Sequence, residues 1–294
     1  MIESKKTRIF YGMNYALITL VVLTMVIPLI NIIATSFSGE RAVLSGEVFL
    51  WPIDFTLETY KQVFFNSPLM RGMRNTLTVT FFGTIINMVM TLCAAYPLSK
   101  PRLQGRTFFL LMITLTMIVG AGIIPNFLLI KDLGLMNKFW AIWLPGAIST
   151  YNMIVMKTFL QSLPPSLEES AMIDGANDLT VLFRIILPLS LPSLATITLF
   201  YAVGHWNSYF NVMLYISKSD LKTLQLVLRD LINNSSVTDM LLNASRDSSD
   251  FQVRVTQESI KAASIVIATF PIMCVYPFLQ KYFVKGVMIG SVKG

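Results

Sequence analysis

Six long stretches without any Asp, Glu, Lys or Arg are the feature that most constrains how this chain can fold. The hydrocarbon core of a bilayer is about 30 Å thick, and a helix needs about 20 apolar residues to cross it. Only helices and closed barrels satisfy every backbone polar group within lipid. We therefore predict an all-α membrane protein with six transmembrane helices, whose spans are residues 10–36, 75–99, 107–130, 139–160, 186–216 and 262–282.

The composition excludes several classes of function. Hydrophobic residues make up 54% of the chain and charged residues 13%, whereas soluble domains carry about 25% charged residues. The two cysteines, Cys93 and Cys274, lie in separate apolar stretches, and His205 is the one histidine. We therefore predict no disulfide framework, no metal site and no cofactor. The net charge of +7 forms no basic cluster, so no nucleic-acid partner is expected.

The placement of basic residues predicts which side of the membrane each end of the chain occupies. Lys5, Lys6 and Arg8 precede the first span, which predicts a cytoplasmic N-terminus at residues 1–8 by the positive-inside rule. The first span is too long for a signal peptide and lacks a small-residue cleavage pattern, so we expect it to be retained. Six spans within a domain at 9–283 then return the tail, residues 284–294, to the cytoplasm.

The near absence of ionisable groups inside the spans bears on the energy source. Proton relays and ion-coupled carriers mark their paths with such groups. Lys157 and Lys281 lie near the ends of their spans, where a lysine can snorkel to the interface, so His205 is the one candidate. The chain also has no glycine-rich phosphate loop and no paired nucleophile and base. We predict that it is no enzyme and that another subunit supplies the energy if transport is uphill. An ion-coupled carrier or channel subunit, and a membrane scaffold without transport, are the alternatives.

The segment 163–188, between the fourth and fifth spans, has the signals of a short helix that follows a proline pair. Ser166 and Glu169 have the capping-box spacing, in which a hydroxyl and a carboxylate satisfy donors of the first turn. Gly175 is expected to end this helix in a left-handed conformation. Its acidic residues suit a protein partner better than anionic lipid, because interfacial helices favour Lys and Arg on their polar face.

A second short helix is expected to follow the glycine. Asn177 or Asp178 can begin it, and Pro188 is expected to break it. The segment therefore predicts two helices and a turn across the cytoplasmic face.

The sequence of this segment resembles that of a known family. L-E-E-S-A-M-I-D-G-A at 167–176, followed by R-I-I-L-P-L, is similar to the EAA loop of permease subunits from ATP-binding-cassette (ABC) importers. The carbohydrate-uptake group, related to the second permease of the maltose importer, is the most similar. The tail Q-K-Y-F-V-K-G-V-M-I-G-S-V-K-G at 280–294 resembles the tail of that group. The stretch F-S-G-E-R-A-V-L-S-G-E-V-F-L-W-P at 37–52 is similar to a branch that handles complex or uronic-acid-bearing oligosaccharides.

The resemblance implies a MetI-like type I importer fold and a set of partners. These are a second homologous permease in a heterodimer, two copies of a cytoplasmic ABC ATPase, an extracytoplasmic solute-binding protein, the lipid bilayer and an oligosaccharide substrate. It also implies a multi-pass location in the bacterial cytoplasmic membrane. The first helix of the loop would be a coupling helix that seats on the ATPase, with Ser170 where the family has alanine. Its coupling residues would be Ser166, Glu168, Glu169, Ser170, Ala171, Asp174, Gly175 and Ala176.

Two further regions are candidates for contact with substrate or binding protein. Aromatic, amide and imidazole groups in the fifth span suit carbohydrate, although membrane belts and helix packing also use such residues. The outer loop at 218–261 is polar, and its amphipathic stretch Thr223–Leu231 either packs onto the bundle or faces the binding protein. The substrate-path candidates are Tyr201, His205, Trp206, Asn207 and Tyr209.

Overall fold

The computed structural model describes residues 5–66, 68–233 and 255–291, and within these ranges every regular element is helical. The helices are α1 Lys5–Ser36, α2 Glu40–Leu44, α3 Glu58–Asn66, α4 Leu69–Ser99, α5 Arg106–Ile118, α6 Ile123–Asp132, α7 Trp140–Trp143, α8 Thr150–Gln161, α9 Ser166–Ile173, α10 Asp178–Val181, α11 Leu187–Leu189, α12 Leu191–Trp206, α13 Phe210–Tyr215, α14 Leu224–Asn233 and α15 Gln257–Ser291. A π-helical segment, Leu182–Ile186, joins α10 to α11, and a 3₁₀ turn, Ser219–Leu221, precedes α14.

Three helices are long and apolar enough to cross a membrane without interruption. They are α1, α4 and the part of α15 from Gln257 to Val275. Every residue in the most apolar window of α1 is exposed to the surroundings of the isolated chain. Prolines lie inside all three helices, at Pro28 in α1, Pro97 in α4, and Pro271 and Pro277 in α15. Proline therefore does not end these three spans.

Two further spans are sharply bent, in segments that contain Pro125, Pro188 and Pro192. α5 and α6 meet at 113°, and the helical run 178–189 meets α12 at 83°. At the first bend, Gly122 has a φ of +81°, which residues with a side chain rarely adopt. At the second, Ser190 leaves the helical conformation. By length and composition, up to five helices or bent pairs of the described residues can cross a membrane.

The fourth predicted span, 139–160, is also interrupted. It consists of α7 and α8, with residues 144–149 between them and Pro145 at the break. Proline lacks a backbone donor and clashes with the preceding turn, which accounts for the end of α7. Asn87 of α4 donates from Nδ2 to the carbonyls of Gly146 and Ala147, the latter at 3.0 Å. The interruption is therefore hydrogen-bonded by a side chain of a neighbouring helix.

Residue contacts divide the chain into two compact units. One contains residues 1–70 and 227–270, and the other contains 71–226 and 271–294. The core of the second unit is built from α4, α8, the π-helical segment and α12. Its buried residues are Ala95, Tyr96, Leu98, Met153, Met156, Leu160, Val181, Ile186, Ile197 and Tyr201. Ala171 and Ala176 of the loop 163–188 pack against this core.

The amphipathic stretch predicted at Thr223–Leu231 is confirmed as a helix, α14. Leu224, Val227 and Leu231 are buried, which favours packing over exposure to a partner. Thr76 of α4 caps this helix, since its Oγ1 accepts a hydrogen bond from the Leu224 amide at 2.8 Å. Residues 234–254 of the predicted outer loop lie outside the described residues.

Candidate functional site

The first helix of the loop 163–188, α9, begins at Ser166 as expected but without the predicted capping box. No side chain caps its first turn. Pro165 already has helical torsion angles, and its carbonyl accepts from the amides of Glu168 and Glu169 at 3.0 and 3.1 Å. A proline at the start of a helix has its torsion pre-set for the helix. Ser166 therefore occupies a helical position, where its hydroxyl cannot serve as the cap.

The end of α9 is a glycine-based stop of the predicted kind. Gly175 has a φ of +84°. Its amide donates to the Met172 carbonyl at 3.0 Å, and the Ala176 amide donates to the Ala171 carbonyl at 2.9 Å. These two bonds form a Schellman motif, which satisfies carbonyls at the end of a helix. The direction in which the chain leaves α9 is thereby fixed.

The second helix of the loop begins where it was predicted. The Asn177 side chain accepts from the Thr180 amide at 2.8 Å and caps α10. The helical run then continues past Pro188 to Leu189 and ends at Ser190. The expectation of a break at Pro188 was therefore wrong by two residues, because proline is tolerated in the first turn of a helix.

Two ion pairs join the loop to the connector between α4 and α5. Lys100 pairs with Glu168 of α9, and Arg102 pairs with Asp178 of α10. The first pair is largely buried, with side-chain exposures of 14% and 18%, whereas both members of the second are more than half exposed. The Lys100 Nζ also lies 4.4 Å from the centre of the Tyr96 ring, a cation–π geometry.

The contacts of Lys100 and Arg102 with the loop were not predicted from the sequence. Glu168 lies 68 residues from Lys100 along the chain, so no local pattern could pair them. The connector is tied further by Arg106, whose Nε donates to the Leu98 carbonyl at 2.9 Å. Together these bonds attach the loop to the end of α4.

The predicted coupling residues divide into an exposed set and a packed set. Ser166, Glu169, Ser170, Asp174 and Gly175 are exposed. Ala171 and Ala176 are partly buried against the core of the second unit, and Glu168 is held by Lys100. The exposed surface of the loop therefore presents the carboxylates of Glu169 and Asp174. The ion pair of Glu168 with Lys100 lies on the inner side of the loop.

Apolar side chains complete this exposed surface. Ile173 is 85% exposed, and Leu179 and Phe183 are 64% exposed each. None of these three residues was among the predicted coupling residues. Large apolar residues next to carboxylates suit a protein partner, since their exposure to water is unfavourable.

Tyr201 and Trp206, two of the substrate-path candidates, are buried in the second unit. The Tyr201 hydroxyl shares a hydrogen bond with Thr91 Oγ1 at 2.7 Å and accepts from the Ser149 amide at 3.0 Å. Trp206 is 7% exposed, and its Nε1 has no hydrogen-bond partner among the described residues. In this conformation neither side chain is accessible to a sugar.

His205 is held against α4. Its Nε2 lies 2.6 Å from Asn87 Oδ1, and since the Asn87 amide nitrogen donates elsewhere, Nε2 is the donor. Gly83 is needed for this contact, because a Cβ at that position would lie 2.6 Å from Nε2. The remaining two candidates, Asn207 and Tyr209, are exposed between α12 and α13.

Comparison with known proteins identifies the family. The family described as the binding-protein-dependent transport system inner membrane component matches residues 83–289. Among the relatives is the polygalacturonan/rhamnogalacturonan transport system permease protein YtcP of Bacillus subtilis (strain 168), which is 40% identical over 98% of this chain and 100% of its own length. Protein LplC of the same organism is 42% identical over 100% of this chain and 98% of its own length.

A solved structure has the same fold. It is described as a bacterial ABC transporter involved in the import of the acidic polysaccharide alginate, and the matched chain is 35% identical with a TM-score of 0.89. The match covers 96% of this chain and 99% of that one. The predicted MetI-like permease fold is thereby confirmed, although several of its spans are bent.

These similarities confirm the predictions of family and of function class. The chain is a multi-pass membrane subunit of an ABC importer and no enzyme, because in such systems the ATPase is a separate subunit. An ATPase and a solute-binding protein are its partners by virtue of this family. The chain belongs to the binding-protein-dependent transport system inner membrane components, the permease subunits of ABC importers.

Proposed function

We propose that this permease, in a heterodimer with a second homologous permease, imports a complex or uronic-acid-containing oligosaccharide by alternating access. The observation that carries the coupling part is the attachment of α9 to the end of α4 through the buried pair of Lys100 and Glu168. A short helix tied to a membrane span can pass on a rigid-body displacement. Two copies of a cytoplasmic ABC ATPase supply that displacement when they bind ATP and close.

The coupling surface consists of the outward side of α9 and the turn that follows it. Glu169 and Asp174 supply its charge, and Ile173 supplies an apolar contact. Gly175 sets the path of the chain beyond the helix, and Ala171 packs the helix onto the core. Ser166, Ser170 and Ala176 complete the surface, while Glu168 positions it.

The choice of substrate class is supported by the relatives. One relative is named for the transport of polygalacturonan and rhamnogalacturonan, and the structural neighbour is involved in the import of the acidic polysaccharide alginate. A relative at 26% identity is named for arabinooligosaccharides. The galacturonan sugars of the first relative and the alginate of the structural neighbour carry carboxylates. We therefore propose that the substrate is an acidic oligosaccharide, delivered by the solute-binding protein.

The proposed substrate path uses the five aromatic and polar candidates of the fifth span in two ways. Asn207 and Tyr209 face the path, because they are exposed at the turn between α12 and α13. Tyr201 and His205 hold the path through their bonds to α4, and Trp206 packs behind it. Reorientation during the transport cycle is what would bring the buried groups closer to a sugar.

The proposed topology places both termini in the cytoplasm. The basic residues at 1–8 and in the connector that contains Lys100 and Arg102 support this orientation. The permease domain then covers 9–283, with the loop 163–188 inside, the loop 218–261 outside and the tail 284–294 inside. The membrane is the bacterial cytoplasmic membrane.

Reconstitution tests the proposal directly. The two permeases, the ATPase and the binding protein are placed in proteoliposomes, and uptake of a labelled oligogalacturonide is measured with and without ATP inside. We expect ATP-dependent uptake that exceeds the uptake of a neutral oligosaccharide of the same length. Equal uptake of the neutral sugar would contradict the proposed substrate class, and uptake without the ATPase would contradict the proposed mechanism.

A further inference from the structure

The segment that follows α1 carries an unusual number of exposed aromatic side chains. We call residues 48–65 the aromatic segment; it leads into α3 and contains most of it. Trp51 is 80% exposed and Phe65 is 85% exposed. The exposed apolar residues of the aromatic segment are Phe49, Trp51, Ile53, Phe55, Leu57, Phe64 and Phe65.

Hydrogen bonds fix the position along the axis of α1 at which the aromatic segment begins. The Asn31 Nδ2 donates to the carbonyls of Val48 and Phe49, at 3.2 and 2.8 Å. Asn31 lies within the last turns of α1, which ends at Ser36. At 1.5 Å per residue, the bonded backbone lies about 8 Å before the end of the helix. The aromatic segment thus starts beside the membrane span and not beyond it.

The rest of the aromatic segment is held at the end of the same helix. The Tyr60 hydroxyl and Ser36 Oγ lie 2.8 Å apart, and the rings of Tyr60 and Phe37 stack at 4.7 Å. Burial raises the pKa of the Tyr60 phenol, so the hydroxyl keeps its proton for this bond. Ile53 bonds through its amide to Ser38 Oγ at 3.1 Å. These contacts hold Ile53 and Tyr60 of the aromatic segment at the level where α1 ends.

This level has a physical meaning, because α1 is a membrane span. Its 30-residue apolar length exceeds the thickness of a hydrocarbon core, so its end reaches the interface between lipid chains and headgroups. Aromatic residues concentrate at this interface, where their rings tolerate both surroundings. A side chain at this level meets lipid headgroups and the first methylene groups, which suits the exposed side chains of Trp51 and Phe65.

The geometry points to a membrane anchor: we propose that the aromatic segment lies in the lipid interface at the C-terminal end of α1. α3 fits this role, because Leu57, Phe64 and Phe65 form an apolar surface with Tyr60 and Met70. The charge of Lys61 on this surface is offset by its pair with Glu58 at 3.0 Å. Apolar burial therefore dominates the attachment over attraction to anionic lipid.

A lipid occupant follows from continuity with α1. The most apolar part of α1 is exposed on every side of this chain, as expected of a span that lipid surrounds, and the aromatic segment extends that surface at its end. The anchor would keep the start of α4 at a fixed height while other helices move. This inference requires only that α1 spans the membrane, and it does not depend on the identity of the substrate.

Site-specific fluorescence tests the proposal in the assembled importer. Cys93 and Cys274 are first replaced by serine. Single cysteines are then introduced as Trp51→Cys and Phe65→Cys and labelled with an environment-sensitive dye, with Arg41→Cys of α2 as an exposed polar control. The complex is placed in phosphatidylcholine vesicles, with or without lipids that carry a nitroxide near the headgroup. Aqueous iodide serves as the opposite quencher.

We expect the nitroxide lipid to quench the labels at positions 51 and 65, and iodide to quench them several-fold less than the label at 41. Strong iodide quenching at all three positions would show a solvated segment and overturn the proposal. Protection of 51 and 65 from both quenchers would show a protein occupant and overturn it as well. Uptake is measured on the same vesicles, so a failure of the proposed transport function is seen separately.

Discussion

Lys100 and Glu168 join the end of α4 to the first turn of α9 through an ion pair that water barely reaches. The pair lies 68 residues apart in sequence and links a membrane span to the helix proposed to contact the ATPase. Since a lone buried charge is costly, the two side chains hold each other in place. In the proposed mechanism, this pair transmits movement of α9 to α4.

Lys100→Ala is expected to lower the amount of substrate moved per ATP hydrolysed. The remaining carboxylate loses its partner in a largely buried position, at a cost of about 3 kcal/mol, and α9 detaches from the connector. Uptake and ATP hydrolysis are measured together in proteoliposomes. The double variant Lys100→Glu with Glu168→Lys restores the pair in reverse and is expected to recover part of the coupling.

The exposed pair of Arg102 and Asp178 provides a matched control. Exposed ion pairs contribute about 0–1 kcal/mol, so Arg102→Ala should change the coupling ratio much less than Lys100→Ala. Equal effects of the two variants would mean that positive charge in the connector matters, and not the buried contact.

Gly175→Val is expected to uncouple transport from ATPase stimulation while the protein still inserts into the membrane. The space around Gly175 is open, so the effect comes from the backbone, whose φ of +84° costs about 1 kcal/mol for a residue with a side chain. The free-energy cost of this conformation is higher for a β-branched side chain. The turn after α9 is therefore expected to change direction in Gly175→Val. Binding-protein-stimulated ATPase activity and uptake are the measurements.

Asparagine separates backbone strain from side-chain bulk at this position. It tolerates the left-handed conformation better than other residues with a side chain, so Gly175→Asn should retain more coupling than Gly175→Val. Normal uptake by the Gly175→Val variant would show that this turn has no part in the coupling mechanism.

Glu169→Lys is expected to weaken binding of the ATPase without lowering the stability of the permease. Glu169 is exposed, and the described part of the chain shows no ion pair for it. Reversal of its charge therefore acts on the partner. Co-purification with the ATPase measures the loss, thermal unfolding of the permease in detergent provides the control, and Glu169→Gln should have an intermediate effect. Unchanged co-purification would place the ATPase contact elsewhere.

His205→Ala is expected to destabilise the permease but leave the pH profile of uptake unchanged. Without the imidazole, Oδ1 of the buried Asn87 loses its donor, which costs about 1–3 kcal/mol. His205→Gln can keep this bond and should be more stable. Uptake is compared between about pH 6 and pH 8, where a histidine would titrate. A pH dependence that disappears in His205→Ala would indicate a proton-linked role for the imidazole.

Absence of charge is a strong signal of lipid contact, and α1, α4 and part of α15 are long and apolar enough to cross a membrane. Pro125, Pro188 and Pro192 mark places where a helix can kink or end, but neither they nor hydropathy carry information on the angles of the bends near Gly122 and Ser190. The fourth span shows the same limit. Pro145 marks the interruption in the sequence, yet the hydrogen bonds of the interruption depend on Asn87, which lies in another helix.

The loop 163–188 shows which features of the site can be predicted from short sequence patterns. Gly175 and Asn177 act through backbone groups within a few residues, so their roles could be read from sequence. The capping box was wrong because Pro165 moved the start of the helical conformation by one residue. The attachment of Glu168 to Lys100 is a tertiary contact, and so is the burial of Tyr201, which makes neither predictable from spacing.

The amide of Asn87 has a consequence for permeability. Carbonyls freed where a helix unwinds at membrane depth normally require water, and a file of water molecules conducts protons. Because Asn87 supplies the donors for Gly146 and Ala147, the fourth span can be discontinuous and still dry. An importer that opens and closes many times must not let protons leak and dissipate the membrane potential. The contacts of Asn87 are expected to prevent such a leak at the interruption of the fourth span.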